Sequence, residues 1–158
     1  MSDFKFIVDK NVGKLAKWLR AMGYDTLFFA DGDDSAMVRT ALTEGRVILT
    51  RDTQIMRRRV VASGRLKALL IASDEPGVQM RQVIDEMELD CQFRPLAICL
   101  ECNQPLVARS RPEVEGLVPP YVFETQSQYR ECPLCHRIYW RGTHWQAMTR
   151  QLERFRRG

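Results

Sequence analysis

From Phe4 to Met87, short apolar runs alternate with stretches of helical period. Phe4 to Val8 is a strand by composition and ends at Asp9. Asn11 and Gly13 make a turn, and Leu15, Trp18, Leu19 and Met22 then recur on one helical face until Gly23 stops it. Thr26 to Phe29 is a second strand. The loop Asp31-Gly32-Asp33-Asp34 precedes a helix whose apolar face is Met37, Val38, Ala41 and Leu42, closed by Gly45. Val47 to Thr50, an uncharged β-branched run, is the third strand, with Asp52 just beyond it. Gln54 to Val61 predicts a short helix, Ala68 to Ala72 a fourth strand, and Val78 to Met87 a fourth helix. Strands alternating with helices argue for a parallel sheet covered on both faces, an α/β three-layer sandwich.

The pattern breaks around Leu89 to Pro95. Short β-type pieces, prolines and paired cysteines follow, and the last segment, Trp145 to Arg157, is helical with Met148, Leu152 and Phe155 on one face. This places a boundary near Arg94, with one unit at 1–94 and a smaller one at 95–158. Cys99-x-x-Cys102 and Cys132-x-x-Cys135 are two metal knuckles, and four thiolates make a closed tetrahedral zinc site. With no coordination position left over, that zinc is structural, standing in for a core so short a segment could hardly build. The 29 residues between the pairs exceed the usual spacing, and the insertion is expected to extend a hairpin. His136 and His144 are then surface or packing residues, and Cys91, without a partner, is a buried thiol.

The acids are the second constellation. Asp9, Asp52 and Asp74 each follow an apolar strand, and Asp34 opens the helix between the second and third strands. In an open parallel sheet all four reach the carboxyl edge, where ligands bind. Clustered carboxylates raise one another's pKa unless a cation sits among them. Hard oxygen donors suit Mg²⁺ or Mn²⁺, which can activate water and stabilise charge on a phosphodiester. Each acid taken alone reads as a helix cap or loop carboxylate, and Asp33 is the more ordinary cap beside Asp34.

Charge changes this picture little. The chain has 158 residues, 45% of them hydrophobic, with a formal net charge of +4. Thiolates bound to zinc would lower that further, so bulk charge favours a nucleic-acid partner only weakly. Lys14, Lys17, Arg20, Arg39, Arg51 and Arg57 to Arg59 could line a phosphate track, although a run such as Arg57 to Arg59 is usually a solvated helix face. Arg51 is distinct because it adjoins Asp52. No apolar run is long enough to span a membrane, and Met1-Ser2-Asp3-Phe4-Lys5 lacks a signal-peptide pattern. The expected compartment is the cytoplasm, where cysteines hold metal rather than form disulfides.

Asp9 to Arg20, Gly23 to Thr26 and Glu44 to Asp52 together resemble the mutator-type C-terminal RNase family. Cys102-Asn103 and Tyr139 to His144 are similar to its C-terminal part. The resemblance implies a PIN-like nuclease domain followed by a zinc ribbon. It implies metal-dependent, endonucleolytic cleavage of RNA, with Asp9, Asp34 and Asp52 as metal ligands and Asp74 as a further one. Arg51 would steady the scissile phosphate. Lys14, Lys17, Arg20, Arg150 and Arg154 would bind RNA.

Two other readings compete. A phospho-receiver domain also places acids after its first and third strands, and Asp9, Asp52 and Ser73 fit that pattern. It needs a lysine after a fifth strand, which Leu96 to Cys99 does not offer. A non-catalytic RNA- or ribosome-binding zinc-ribbon protein would keep the acids and the basic faces without turnover.

Overall fold

The computed structural model describes residues 3–157; Met1 and Ser2 of the leader reading lie outside them. Four parallel strands, β1 (Lys5–Asp9), β2 (Thr26–Phe29), β3 (Arg46–Thr50) and β4 (Ala68–Leu70), form a sheet in the order β2-β1-β3-β4. Phe6 to Val8 and Ile48 to Leu49 are fully buried, as strands covered on both faces must be.

One face carries α1 (Leu15–Met22) and α5 (Pro76–Met87); Leu15, Leu19, Met80 and Val83 pack with Phe6, Val8 and Leu49. The other face carries α2 (Asp34–Glu44), with Met37, Val38 and Ala41 against Ile7 and Ile48. The chain leaves β1 for β2 through α1 and returns through α2 to β3 on β1's other side. The crevice between β1 and β3 is therefore the topological switch point of the sheet.

Where one helix was expected over Gln54 to Val61, there are two: α3 (Thr53–Arg57) and α4 (Arg59–Ala62). Arg58 between them is extended, at φ −61° and ψ 139°, and its guanidinium donates to Ser35 Oγ on α2. The arginine run is thus not one solvated face. Ile71 stays tied to β3 after β4 ends, its N–H donating to Thr50 O.

The chain then crosses the end of α1. Gly23 sits at φ +101°, and a Cβ there would lie 2.5 Å from Arg94 O, so only glycine lets the crossing segment pass. Phe93 stacks on Tyr24 with ring centroids 4.6 Å apart. Beyond it, β5 (Val107–Arg109), β6 (Tyr129–Glu131) and β7 (Ile138–Tyr139) form a small antiparallel sheet. The insertion between the knuckles does more than lengthen a hairpin: it adds α6 (Pro120–Thr125) and a core of Val114, Val118, Val122 and Tyr129. The last helix, α7 (Thr143–Arg157), returns to the first core, burying Leu152 there and setting Phe155 edge-on to Trp18. Among the described residues, no helix is long and apolar enough to cross a membrane.

Candidate active site

Strand order alone brings Asp9 and Asp52 together, since β1 and β3 are parallel neighbours that end at the same edge. Asp9 is 6% exposed, and a carboxylate so buried needs partners. It has two: Thr50 Oγ1–H donates to Oδ2 at 2.7 Å, and the Lys10 N–H donates to Oδ1 at 2.8 Å. The same Thr50 hydroxyl accepts the Asp52 N–H at 3.0 Å, so one side chain holds both acids in register across the crevice. Asp52 caps α3 by accepting the Gln54 N–H at 2.8 Å, which fixes its carboxylate at the helix mouth.

Asp34 is the first residue of α2, while the capping work falls to Asp33, which accepts from Ser35 N and Ala36 N. Asp34 is therefore not consumed by its helix and faces the other two acids. Partial burial, the Asp52 and Asp9 charges and a hydrogen bond with Asp52 hold its carboxyl above the usual range, against a smaller pull from Arg58. Three acids thus converge, and their repulsion is only partly offset. Asp74 is exposed just before α5, and the charges that shift Asp34 are those of Asp52, Asp9 and Arg58.

Hard carboxylate oxygens of this kind fit a divalent cation such as Mg²⁺ or Mn²⁺ in donor chemistry. Their spacing is looser than the cysteines': among the described residues, the four cysteines alone form a group whose ligand atoms all lie within 4.8 Å of one another.

The cations are placed unevenly. Arg51 is exposed beside Asp52, its backbone N–H held by Asn11 Oδ1 at 3.2 Å. Lys10 reaches the loop before α2, where a Cβ on Gly32 would lie 3.4 Å from Nζ. Lys14, just before α1, and Lys17 on it are exposed, as are Arg150 and Arg154 on α7. Arg20 is not on that surface. It is 9% exposed, donating from Nε to Thr26 O and from Nη1 to Leu100 O and Glu101 O, so its guanidinium clamps the first knuckle onto β2 instead of presenting itself to phosphate. Its periodic position on α1 gave no warning, because the burial comes from a segment about eighty positions away.

Sequence reasoning also missed Thr50, Asn11 and Arg58. Thr50 looks like β-branched strand filler, and Asn11 like a turn residue. The one available signal was that a polar side chain ends an otherwise apolar strand immediately before Arg51-Asp52.

Each cysteine knuckle closes on a residue in the left-handed region, Asn103 at φ 60° and His136 at φ 65°, whose N–H donates back to Cys99 O and Cys132 O respectively. Cys99 Sγ and Cys135 Sγ lie 3.7 Å apart. A tetrahedron with Zn–S near 2.3 Å has edges of roughly 3.8 Å, so these thiols are compatible with a structural zinc. Backbone and side-chain hydrogen bonds from Arg137 push the Cys135 thiol down to about 6, while burial and neighbouring sulfurs push Cys102 up to about 12. Tyr139 OH contacts Cys99 Sγ at 3.2 Å and accepts the Leu100 N–H, bracing the cluster from β7. His136 is exposed and pairs with Glu131, and His144 is exposed too. Cys91 is buried, and burial pushes its thiol up to about 11.

Compared with known proteins, the Mut7-C RNAse domain profile matches residues 4–152, which takes in both the acids and the cysteines. No curated protein and no solved structure matches the chain.

Proposed function

The chain belongs to the Mut7-C RNase domain family, and from that premise we propose that it hydrolyses RNA phosphodiester bonds at the β1–β3 crevice, endonucleolytically and with a divalent cation. The observation that carries this reading is the convergence of Asp9, Asp34 and Asp52 with their charges incompletely offset. Asp9 and Asp52 would hold the ion, and Asp34 would complete the set. A Mg²⁺ or Mn²⁺ bound there supplies Lewis acidity to the phosphate and makes water a better nucleophile.

The chain's own residues supply the rest. Thr50 holds the Asp9 carboxylate and the Asp52 backbone, and the Gln54 N–H holds the Asp52 carboxylate. Asp34 accepts a hydrogen bond from the attacking water and takes its proton as it adds. Water adds to phosphorus, the bond to the leaving ribose oxygen breaks, and that oxygen takes a proton from solvent. Arg51 pairs with a non-bridging oxygen of that phosphate. In this reading residues 1–94 carry the chemistry. Residues 95–158, held by zinc on Cys99, Cys102, Cys132 and Cys135, help grip the substrate with Arg150 and Arg154, and Lys14 and Lys17 extend that grip along α1.

The test is Asp52→Asn in a Mg²⁺-dependent assay on mixed RNA. It keeps the side-chain shape but removes one negative charge. Cleavage should be abolished while RNA affinity changes little. Cleavage at the wild-type rate would make the acids structural caps and leave a binding protein.

A further inference from the structure

A cavity of about 530 Å³ lies away from the acids, between α7, the ribbon and the end of α1. That is the size range of pockets that enclose a small ligand. Its walls are aromatic: Tyr121, Tyr139, Trp140 and Trp145, with Met148 and Leu152 at the base. Tyr121 is 68% exposed and so presents its ring to solvent at the rim. Arg141 lies over the Trp145 ring, 4.9 Å from its centroid. Gly142 leaves room for this arrangement, since a Cβ there would come within 2.6 Å of Trp140 Nε1.

A second cavity of about 410 Å³ continues from the first, sharing Leu96, Gln126, Tyr139 and Arg141. It is polar where the first is apolar. Arg109, Arg130 and Arg141 line it with Ser127 and Gln128. Arg109 is paired with Glu131, and Arg130 donates to Leu96 O, so both guanidinium groups are held in place. No aspartate or glutamate lines either cavity, in a chain with 20 of them.

An aromatic pocket that opens into an arginine-lined cleft without carboxylates matches one ligand chemistry: a flat aromatic ring attached to a phosphate chain. We propose that the aromatic cavity stacks an unpaired base of single-stranded RNA and that the arginine cleft holds the adjoining phosphates. The assignment of RNA as ligand rests on the ribonuclease reading. Base stacking on aromatic side chains is how single strands are gripped without sequence readout, and duplexes cannot offer their bases this way.

The fold gives the pocket a relation to the acids. Arg20 and Ala21, in the last turn of α1, are part of its wall. The acids lie at the opposite edge of the sheet, a strand length away, which for the five residues of β1 is about 13 Å. Helix α7 spans that gap, from Thr143 to His144 and Trp145 at the cavity to Phe155, which packs by Gly77 at the head of α5. Arg150 and Arg154, exposed and four residues apart on α7, share one face of that helix. The strand would thus be anchored a few nucleotides from the bond that is cut.

The test measures binding of a short fluorescein-labelled single-stranded RNA to the full chain by anisotropy, without added divalent ion. Its duplex form and Mg²⁺-dependent cleavage of a dinucleotide too short to reach the pocket are measured alongside. Trp145→Ala should weaken single-strand binding about tenfold or more, leave its salt slope unchanged and spare dinucleotide cleavage. Trp145→Phe should bind close to wild type. Arg141→Gln should lower the salt slope by about one. Tyr121→Ala removes an exposed ring and gives the same reading without touching α7. Full affinity in both alanine variants, or a duplex bound as tightly as the single strand, overturns the pocket. Absence of dinucleotide and RNA cleavage by the wild type, with the alanine variants still losing affinity, overturns the nuclease reading and keeps the pocket.

Discussion

Replacing Asp34 with asparagine should make the metal-free protein more stable. Asp33 caps α2, so the change leaves the helix its cap. What it removes is a charge that Asp52 and Asp9 oppose and that partial burial disfavours. In a half-solvated crevice, with an effective dielectric constant of about 40–80 and separations of about 5–8 Å, each like-charge pair costs about 0.5–1.5 kcal/mol. Against this stand the attraction of Arg58 and the favourable position of an anion in the first turn of a helix, worth about 0.3–1 kcal/mol. The net gain is about 1 kcal/mol, or about 2–4 °C in Tm for a chain of this size.

The pH dependence fixes the sign independently. A carboxyl whose folded pKa is raised binds its proton more tightly in the folded state, so the wild type loses stability as pH rises from the ordinary aspartate value, about 4, through that raised value. The gain from Asp34→Asn is therefore full at neutral pH and gone below about pH 4. Mg²⁺ reverses the ranking. Bound to the folded state, it stabilises the wild type by mass action, and the variant, short one ligand, gains less. Differential scanning fluorimetry at neutral and acid pH, with and without Mg²⁺, reads all of this. An Asp34→Asn protein that melts lower than wild type at pH 7 without metal would show that the three acids do not repel one another, and the proposed site would lose its support.

Thr50→Val keeps the shape of the strand but leaves a buried Asp9 oxygen unpaired. It should cost about 1–3 kcal/mol in chemical denaturation and lower RNA cleavage, with Thr50→Ser restoring both. Asn103 accepts from Thr26 N and donates to Asp25 Oδ1 at 2.6 Å, so Asn103→Asp sets two carboxylates together; its Tm should fall at pH 7 and recover part of the loss at pH 4. Protein purified without chelator should carry one zinc per chain by elemental analysis. Cys132→Ser should expose the amides of β5 to β7 to hydrogen exchange while those of β1 and β3 stay protected. Arg150→Ala with Arg154→Ala should weaken RNA binding and flatten its salt dependence.

The sheet was legible because buried parallel strands read as apolar runs, and an acid follows closely after the first, third and fourth. The elements near Val47 to Thr50 and Met37 to Ala41 needed no tertiary information. The break at Arg58 was not legible: no glycine or proline marks it, and it is stabilised by Ser35 on another helix. The role of Arg20 was hidden for the same reason, since its acceptors lie on the far side of the domain. The four cysteines could be grouped from spacing alone, because a knuckle is a local structure. The insertion's core was not visible, since Val114, Val118, Val122 and Tyr129 have no single period and meet around α6. Spacing proposed four acids and left the direction of Asp74 open, because a residue after a strand end is free to turn either way.

The two edges of the sheet obey opposite electrostatic rules, and that contrast argues for where function lies. At the amino edge the charges are paired. Arg46, 6% exposed, bonds Asp25, Glu44 and two backbone carbonyls, and Asn103 of the first knuckle completes the Asp25 shell. Burial alone would raise the Asp25 carboxyl; the hydrogen bonds from Arg46 and Asn103 and the Arg46 charge bring it below the usual range. Such a depressed carboxyl stabilises the fold above its ordinary pKa of about 4 and loses that contribution only as pH falls further. At the carboxyl edge Asp34 is shifted the other way. Arg58 offsets only part of the repulsion there, where Arg46 and Asn103 compensate Asp25 fully at the amino edge. Carboxylates left facing one another where a parallel sheet binds its ligands are a cost that folding alone does not explain. Neutralising variants at the two edges should accordingly move stability in opposite directions: Asp25→Asn downward and Asp34→Asn upward at neutral pH. Loss of stability in both would mean that the acids at the carboxyl edge, too, serve the fold.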